Sequence, residues 1–241
     1  MDIKMNVKDL KEVTDLLLTL VTEAKFEFSK KGLSVKCVDL AHVAMIVLDL
    51  NKEAFLEYDL AEDTELGIDL EKIKDFLKNT SSTDVIEIKK EDSKLLLTVG
   101  YLSRTMQTID PSSITVPKVP SLGLPAKAVV PTEQFSGGIK VAENISDNIT
   151  LHITPTEFRL YSTGDEDSTR LIIPKDLLKE LKCDAEVKSL YPVDYLLRFI
   201  KAINSEFVTV NLGSDYPVKV EFEICNGKGT GLFLLAPRIE E

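Results

Sequence analysis

The 241-residue chain has no tryptophan, two histidines and three cysteines. Cys37, Cys183 and Cys225 are widely scattered and odd in number, and no C-x-x-C pair occurs. That argues against a disulfide framework, a zinc site or a dithiol redox motif. The thiols read as small buried hydrophobes in a reducing, intracellular setting. Neither G-x-x-x-x-G-K-[ST] nor G-x-G-x-x-G is present; Gly227, Gly229 and Gly231 mark a turn between strands, not a strand-to-helix phosphate cradle. Catalytic material is equally thin. His152 lies in an alternating strand and reads as a surface or edge residue. His42 lies near Asp39 but has no Ser or Cys nucleophile context. A hydrolase or metal enzyme using His42 and neighbouring acids is therefore the alternative reading, not the leading one. Asp165, Glu166 and Asp167 read as a solvated loop rather than a metal site, and no cofactor is implied. The longest apolar run, Val43 to Leu50, is broken by Asp49 and is too short to span a bilayer. Met1 to Met5 begin no signal-peptide pattern, so no membrane role is expected. Finally, 29 basic residues stand against 40 acidic ones, a net charge of −11. That argues against a protein that simply coats nucleic acid, but not against one whose cations are gathered on one face.

What is present is strong periodicity. Val7, Leu10, Val13, Leu17, Leu20 and Val21 recur at helical spacing and predict a helix over 7–21, with Asn6 as N-cap. Leu70, Ile73, Phe76 and Leu77 predict a second helix capped by Asp69. Phe135, Ile139, Ala142 and Ile145 predict a third, capped by Thr132 and weakened by Gly137 and Gly138. Leu196, Phe199, Ile200 and Ile203 predict a fourth within 192–204. Alternating stretches between them predict strands around Phe26–Phe28, Leu33–Cys37, Val43–Leu50, Val85–Lys89, Leu95–Gly100, Ile149–Ile153, Glu157–Ser162, Thr169–Ile173, Phe207–Leu212, Val218–Cys225 and Leu232–Leu235.

Residues 111–131 carry five of the ten prolines. They read as an extended linker, neither helix nor central strand, with an apolar patch at Leu122-Gly123-Leu124-Pro125. The order of elements then repeats. Phe158 follows Leu33 by 125 residues, and Leu196 follows Leu70 by 126, so an internal duplication is expected. The fold class is α+β, with two similar domains of antiparallel sheets and two helices each. All four helices carry cations outside their apolar stripes: Lys8 and Lys11; Lys72, Lys74 and Lys78; Lys140; Arg198 and Lys201. On any single helix such a face is simply solvated.

Four segments, in order, carry a family resemblance. They are Val38-Asp39-Leu40-Ala41-His42-Val43-Ala44-Met45, Leu122-Gly123-Leu124-Pro125, Asp215-Tyr216-Pro217-Val218-Lys219-Val220-Glu221-Phe222 and Leu235-Ala236-Pro237-Arg238-Ile239-Glu240-Glu241. Together they resemble the PCNA family of DNA sliding clamps, the last with an archaeal rather than animal look. The resemblance implies an N-terminal clamp domain over 1–115, an interdomain connector over 116–131 and a C-terminal clamp domain over 132–241. It implies the DNA clamp fold, a closed ring of three subunits, and no catalytic site. The ring would be a homotrimer or a heterotrimer with paralogues. The implied partners are duplex DNA through the pore, and DNA polymerase, clamp loader, flap endonuclease and DNA ligase through a short docking peptide. The implied peptide pocket is Val38, His42, Val43, Met45, Leu122, Leu124, Pro125, Pro217, Leu234, Ala236 and Pro237. Leu234 stands where many members have an aromatic residue. The helix cations named above would face the DNA. Arg104, Met106, Thr108, Leu177, Leu178 and Leu181 would lie at subunit contacts, in edge strands near 104–109 and 175–182. The chain would be cytoplasmic and nucleoid-associated in an archaeon, nuclear in a eukaryote.

Overall fold

Alternation of apolar and polar residues turns most of this chain into strands, and two helical stripes per half supply the cover. The computed structural model describes residues 1–238. They fall into two units. The first comprises Met1–Leu40, Met45–Lys118 and Glu223–Gly231; the second comprises Ala41–Ala44, Val119–Phe222 and the tail from Leu232.

The first half runs β1 (Asp2–Asn6), α1 (Val7–Leu17), β2 (Glu23–Ser29), β3 (Gly32–Val38), β4 (Ala44–Asn51), β5 (Glu57–Asp59), β6 (Thr64–Asp69), α2 (Leu70–Leu77), β7 (Val85–Glu91), β8 (Lys94–Val99) and β9 (Leu102–Gln107). Its strands pair antiparallel, in the orders β5-β1-β7-β8-β9 and β4-β3-β2-β6. The second half runs β10 (Ala126–Pro131), α3 (Thr132–Ala142), β11 (Asn148–Ile153), β12 (Glu157–Thr163), β13 (Ser168–Pro174), β14 (Glu180–Lys182), β15 (Val187–Pro192), α4 (Val193–Ala202), β16 (Phe207–Leu212), β17 (Val218–Ile224) and β18 (Gly229–Leu235). Its strands pair in the orders β14-β10-β16-β17 and β13-β12-β11-β15.

The duplication is thus element for element. β1 and β10 begin 124 residues apart, α1 and α3 125, α2 and α4 123. The offset of 126 read from the α2 and α4 stripes is three residues too long. Three residues is close to one helical turn, so the apolar stripe matches in either register.

Burial follows the pattern. Leu10, Val13, Leu16 and Leu17 of α1 and Leu70, Ile73, Phe76 and Leu77 of α2 are buried, and α1 packs beside α2. Phe135, Ile139 and Ala142 of α3 and Leu196, Phe199 and Ile200 of α4 do the same in the second unit. Each such side chain contributes roughly 1.5–3 kcal/mol by leaving water. The Asp69 carboxylate accepts from the Lys72 backbone N–H at 3.0 Å, the expected cap, worth about 1 kcal/mol.

Four expectations need correction. The first helix ends at Leu17, not Val21, because Thr19 and Leu20 turn to i→i+3 bonds, Thr19 N–H to Leu16 O and Leu20 N–H to Leu17 O. Asn6 makes no cap bond; its amide donates to Asp9 instead. Thr132 is inside its helix, with Pro131 at the N-cap, and its buried hydroxyl finds no partner. Residues 126–131 are not linker but strand β10, flanked on both sides by β14 and β16. Their prolines did not forbid this, because Pro125 precedes the strand and Pro131 is its last residue.

The glycine pair of α3 divides into two roles. A Cβ on Gly138 would lie 3.0 Å from Leu171 and 3.3 Å from Leu160, so glycine is what lets α3 settle onto β12 and β13. Gly137 has open space around it.

Candidate functional site

Residues 114–125 carry no regular structure and bring Leu122 and Leu124, both partly exposed, to the surface of the second unit. The seat for Leu124 is a glycine that periodicity does not reveal. A Cβ on Gly213 would come within 3.3 Å of Tyr216, 3.5 Å of Leu124 and 3.6 Å of Pro125. Gly213 opens the loop that leads to Pro217, where Asp215 is held at φ +50°. Two buried hydroxyls fix that loop: Tyr191 donates to the Tyr216 carbonyl at 2.6 Å, and Ser189 donates to it at 3.4 Å. Burial pushes the Tyr191 phenol well above its ordinary pKa, so it stays a donor at neutral pH.

The tail joins the same unit. The Ala236 N–H donates to the Val43 carbonyl at 2.8 Å, and Arg238 N–H to the Leu190 carbonyl at 2.7 Å. His42 is exposed, on left-handed backbone at φ +57°, next to half-exposed Val43. Of the residues assigned to the pocket, His42, Val43, Leu122, Leu124, Pro125, Pro217, Leu234, Ala236 and Pro237 belong to the second unit. Val38 and Met45 face each other as cross-strand partners in the first. Leu234 is only 6% exposed and offers almost no surface, which corrects its assignment as a lining residue. Residues 239–241 of the tail motif lie outside the described residues.

The eight helix cations are all exposed, but half of them are already engaged. Lys72 pairs with Asp69 at 3.0 Å, Lys74 with Asp15 at 3.1 Å and Lys78 with Asp75 at 2.7 Å. Arg198 pairs with Asp194 at 3.2 Å and stacks 4.3 Å over the Tyr195 ring. Lys8, Lys11, Lys140 and Lys201 form no ion pair among the described residues. Lys11, Lys74 and Lys78 line one shallow depression over α1 and α2.

The sheet orders leave several outer strands, among them β5 and β9 in the first unit and β13 and β14 in the second. The sequence placed the second edge at 175–182; β14 in that stretch is the outermost strand of its sheet, paired on one side with β10, where Leu181 sits opposite Ala128. Leu178, at 8% exposure, is buried in its own unit, as is Met106 at 6%; neither presents a side chain at the surface. Leu177 is exposed. Arg104 donates to the Lys72 carbonyl at 3.1 Å, and the Thr108 hydroxyl to the Ser93 carbonyl at 2.9 Å.

Two further readings change. His152 is not a surface or edge residue: it is 5% exposed, on β11 between β12 and β15. Cys225 is not an isolated hydrophobe. Its Sγ lies with carboxylate oxygens of Asp9 and Glu12 inside 4.8 Å, all three residues buried. The turn after β17 holds Cys225, Asn226 and Gly227 at positive φ, and Glu12 of α1 accepts the Cys225 N–H at 3.0 Å. The cluster is a strap from helix to turn. Burial pushes the Cys225 thiol, like that of Cys37, up to about 12.

Comparison with known proteins gives a family match over residues 3–238. Residues 3–117 match the N-terminal domain of proliferating cell nuclear antigen, and residues 118–238 match its C-terminal domain. The chain is 40% identical over 243 residues to the DNA polymerase sliding clamp of Thermoplasma acidophilum, covering 99% of each. It is 41% identical to that of Methanocella arvoryzae, covering 98% of this chain and 97% of the relative. Among solved structures, A. fulgidus PCNA bound to the C-terminal region of FEN-1 superposes with a TM-score of 0.95 at 36% identity, covering 100% of this chain and 99% of that one. A chain of the PCNA2–PCNA3 complex from Sulfolobus tokodaii superposes with a TM-score of 0.87 at 25% identity, covering 100% of both.

Proposed function

The chain belongs to the proliferating cell nuclear antigen family of DNA sliding clamps, and from that premise we propose that it is a ring subunit that encircles duplex DNA and tethers replication and repair enzymes to it. The observation that carries this reading is the connector. Leu124 is held partly exposed beside Gly213, with Leu122 partly exposed two residues before it, in a chain that matches a FEN-1-bound clamp over its full length. A partner segment laid along the connector would gain backbone pairing and bury an apolar plug at Leu124. DNA polymerase, clamp loader, flap endonuclease and DNA ligase are the partners that fit. The protein contributes position rather than chemistry and has no catalytic step of its own.

Closure would come from antiparallel addition of the β9 edge of one subunit to the β13 edge of the next, which also disposes of two exposed strand edges. Three copies around one axis would turn α1 to α4 toward the DNA. Assembly with itself and assembly with paralogues are both compatible with this edge pairing. With archaeal relatives such as those of Thermoplasma and Methanocella, the site of action would be the cytoplasm, on the nucleoid.

Two measurements test this. Light scattering should give about three times the 26.8 kDa chain mass, alone or with paralogues added. A chain that stays monomeric in both cases refutes the ring. Protein loaded on nicked circular DNA should stay bound in high salt and be lost on linearisation; equal retention on both forms refutes encirclement.

A further inference from the structure

The outward face of the β13-β12-β11-β15 sheet carries a polar groove of about 720 Å³ that the clamp reading does not use. Its construction is set by register. Arg159, Tyr161 and Thr163 alternate with buried Phe158, Leu160 and Ser162, so they share the outer face. Lys188 lies directly opposite His152, and His152 directly opposite Arg159; one row on, Tyr161 faces Arg170, and Thr163 faces Ser168. Cationic side chains from β12, β13 and β15 thus converge on one cleft in a chain of net charge −11.

The internal acids answer only part of that charge. Arg159 is paired with Glu157. Arg170 and Lys188 have no ion pair among the described residues, and both are exposed. Glu186 is the one acid lining the groove. Its carboxylate comes 2.8 Å from His152 Nε2, yet that nitrogen makes no aligned hydrogen bond and is shut off from solvent. The floor of the groove therefore holds a buried polar atom without a properly directed partner, which is uncommon.

We propose that this groove binds a phosphate-bearing ligand, with Arg170 and Lys188 as its principal contacts and His152 at its floor. Guanidinium and ammonium groups together with hydroxyls such as those of Tyr161 and Thr163 are the donor set that phosphate oxygens take. A single oxyanion is too small. Lys188 and Arg170 stand on strands three spacings apart, roughly 14 Å between backbones. Their long side chains close most of that gap, leaving the span of a diphosphate or of successive backbone phosphates. The volume is in the ordinary range for a ligand of nucleotide size, about 300–1,000 Å³. Glu186, beside His152 and paired with neither Arg170 nor Lys188, sets a negative charge in the same groove that competes with an anionic ligand.

Calorimetric titration of the full chain with pyrophosphate tests this directly. Binding is expected to weaken about tenfold or more in Arg170→Ala, through removal of one charge-assisted hydrogen bond. It is expected to tighten in Glu186→Gln, which removes the competing charge; a merely structural role for these exposed residues does not make one variant worse and the other better. ADP and a short single-stranded DNA separate the two sources of phosphate. Tighter binding of ADP assigns a free nucleotide, tighter binding of the oligonucleotide assigns backbone phosphate, and either outcome must carry the Arg170 and Glu186 signatures. Absence of pyrophosphate binding at millimolar concentration, or equal affinity in the wild type and Arg170→Ala, overturns the proposal. So does oligonucleotide binding abolished by Lys201→Ala and untouched by Arg170→Ala, which would place the phosphates on the helix face instead.

Discussion

Leu124→Asp is the sharpest test of the connector pocket. Leu124 is partly exposed in the free chain and packs against the space that Gly213 leaves open. A docked apolar plug would cover its remaining surface. Burying a whole leucine is worth roughly 1.5–3 kcal/mol, so the third or less still exposed contributes at most about 0.5–1 kcal/mol to binding. Leu124→Ala should therefore weaken a Gln-x-x-Leu/Ile-x-x-Phe-Phe peptide about two- to fivefold, at 1.4 kcal/mol per factor of ten. Aspartate adds a second cost, because the plug would strip water from a carboxylate with no cation offered in return. Uncompensated burial of a charge costs several kcal/mol even after relaxation. The sum predicts a weakening of at least about a hundredfold. Fluorescence anisotropy with a labelled peptide reads this directly. The exposed segment 114–125 has no strand or helix to disrupt, so the variant should unfold with the wild type. Equal peptide affinity in the wild type and Leu124→Asp would refute the site. A large drop in affinity for Leu124→Ala, with no further drop for Leu124→Asp, would refute the desolvation argument while keeping the docking site.

Three further outcomes follow from the geometry. Glu12→Leu keeps volume but orphans the buried Cys225 N–H, so amide exchange across 224–228 should quicken roughly 5- to 150-fold, equivalent to about 1–3 kcal/mol, with Glu12→Gln much milder; unchanged exchange in Glu12→Leu would show that the strap holds nothing. At pH 7.5 a disulfide reagent should modify one thiol per folded chain, Cys183, which is partly exposed, while Cys37 and Cys225, buried and pushed up to about 12, react only after unfolding; fast labelling of all three would refute the burial. In DNA-binding titrations against salt, Lys140→Ala and Lys201→Ala should each lower the slope by about one, the share of a single neutralised phosphate, and Lys78→Ala by less, because Asp75 already holds its amine at 2.7 Å; identical slopes for all three variants would sink the distinction.

The sequence disclosed what periodicity encodes and hid what register and long-range packing encode. Four helix stripes, the duplication and the connector patch at Leu122 to Pro125 were legible because each is a local pattern. β10 was not, because a proline count over 111–131 cannot reveal that the prolines stop where the strand starts. His152 looked like an edge residue because alternation reports which face of a strand a side chain takes, not how thickly that face is covered. Here Arg159, Tyr161 and Lys188 close over it. Gly213 and Tyr191 left no signal at all. One matters for a side chain it lacks, the other for a hydroxyl that reaches a carbonyl 25 residues away. Met106 faces its own core for a related reason: an apolar residue in an edge strand points either to a partner or to its own core, and only the sheet's register decides.

The acidic charge of the chain and its proposed place around DNA are reconciled less by sorting cations onto the helices than by how few of them are left free. The four helices do carry cations on their exposed faces, yet acids on or beside the same helices hold Lys72, Lys74, Lys78 and Arg198. Only Lys8, Lys11, Lys140 and Lys201 are uncommitted among the eight. A protein that had to hold DNA by affinity alone would be poorly served by so thin a set, since phosphate neutralisation supplies nearly all non-specific binding. A closed ring has no such need. Topology prevents escape, and every added phosphate interaction would only deepen the wells that resist movement along the duplex. The internal ion pairs then have a function of their own: they keep long basic side chains extended over the helix surface while lowering the charge they present. Removing the acids should therefore slow sliding rather than improve retention. Asp75→Asn and Asp194→Asn together, measured by single-molecule diffusion on circular DNA, are expected to lower the diffusion coefficient with no change in lifetime on the circle. A longer lifetime with unchanged diffusion would mean that affinity, not closure, keeps this chain on DNA.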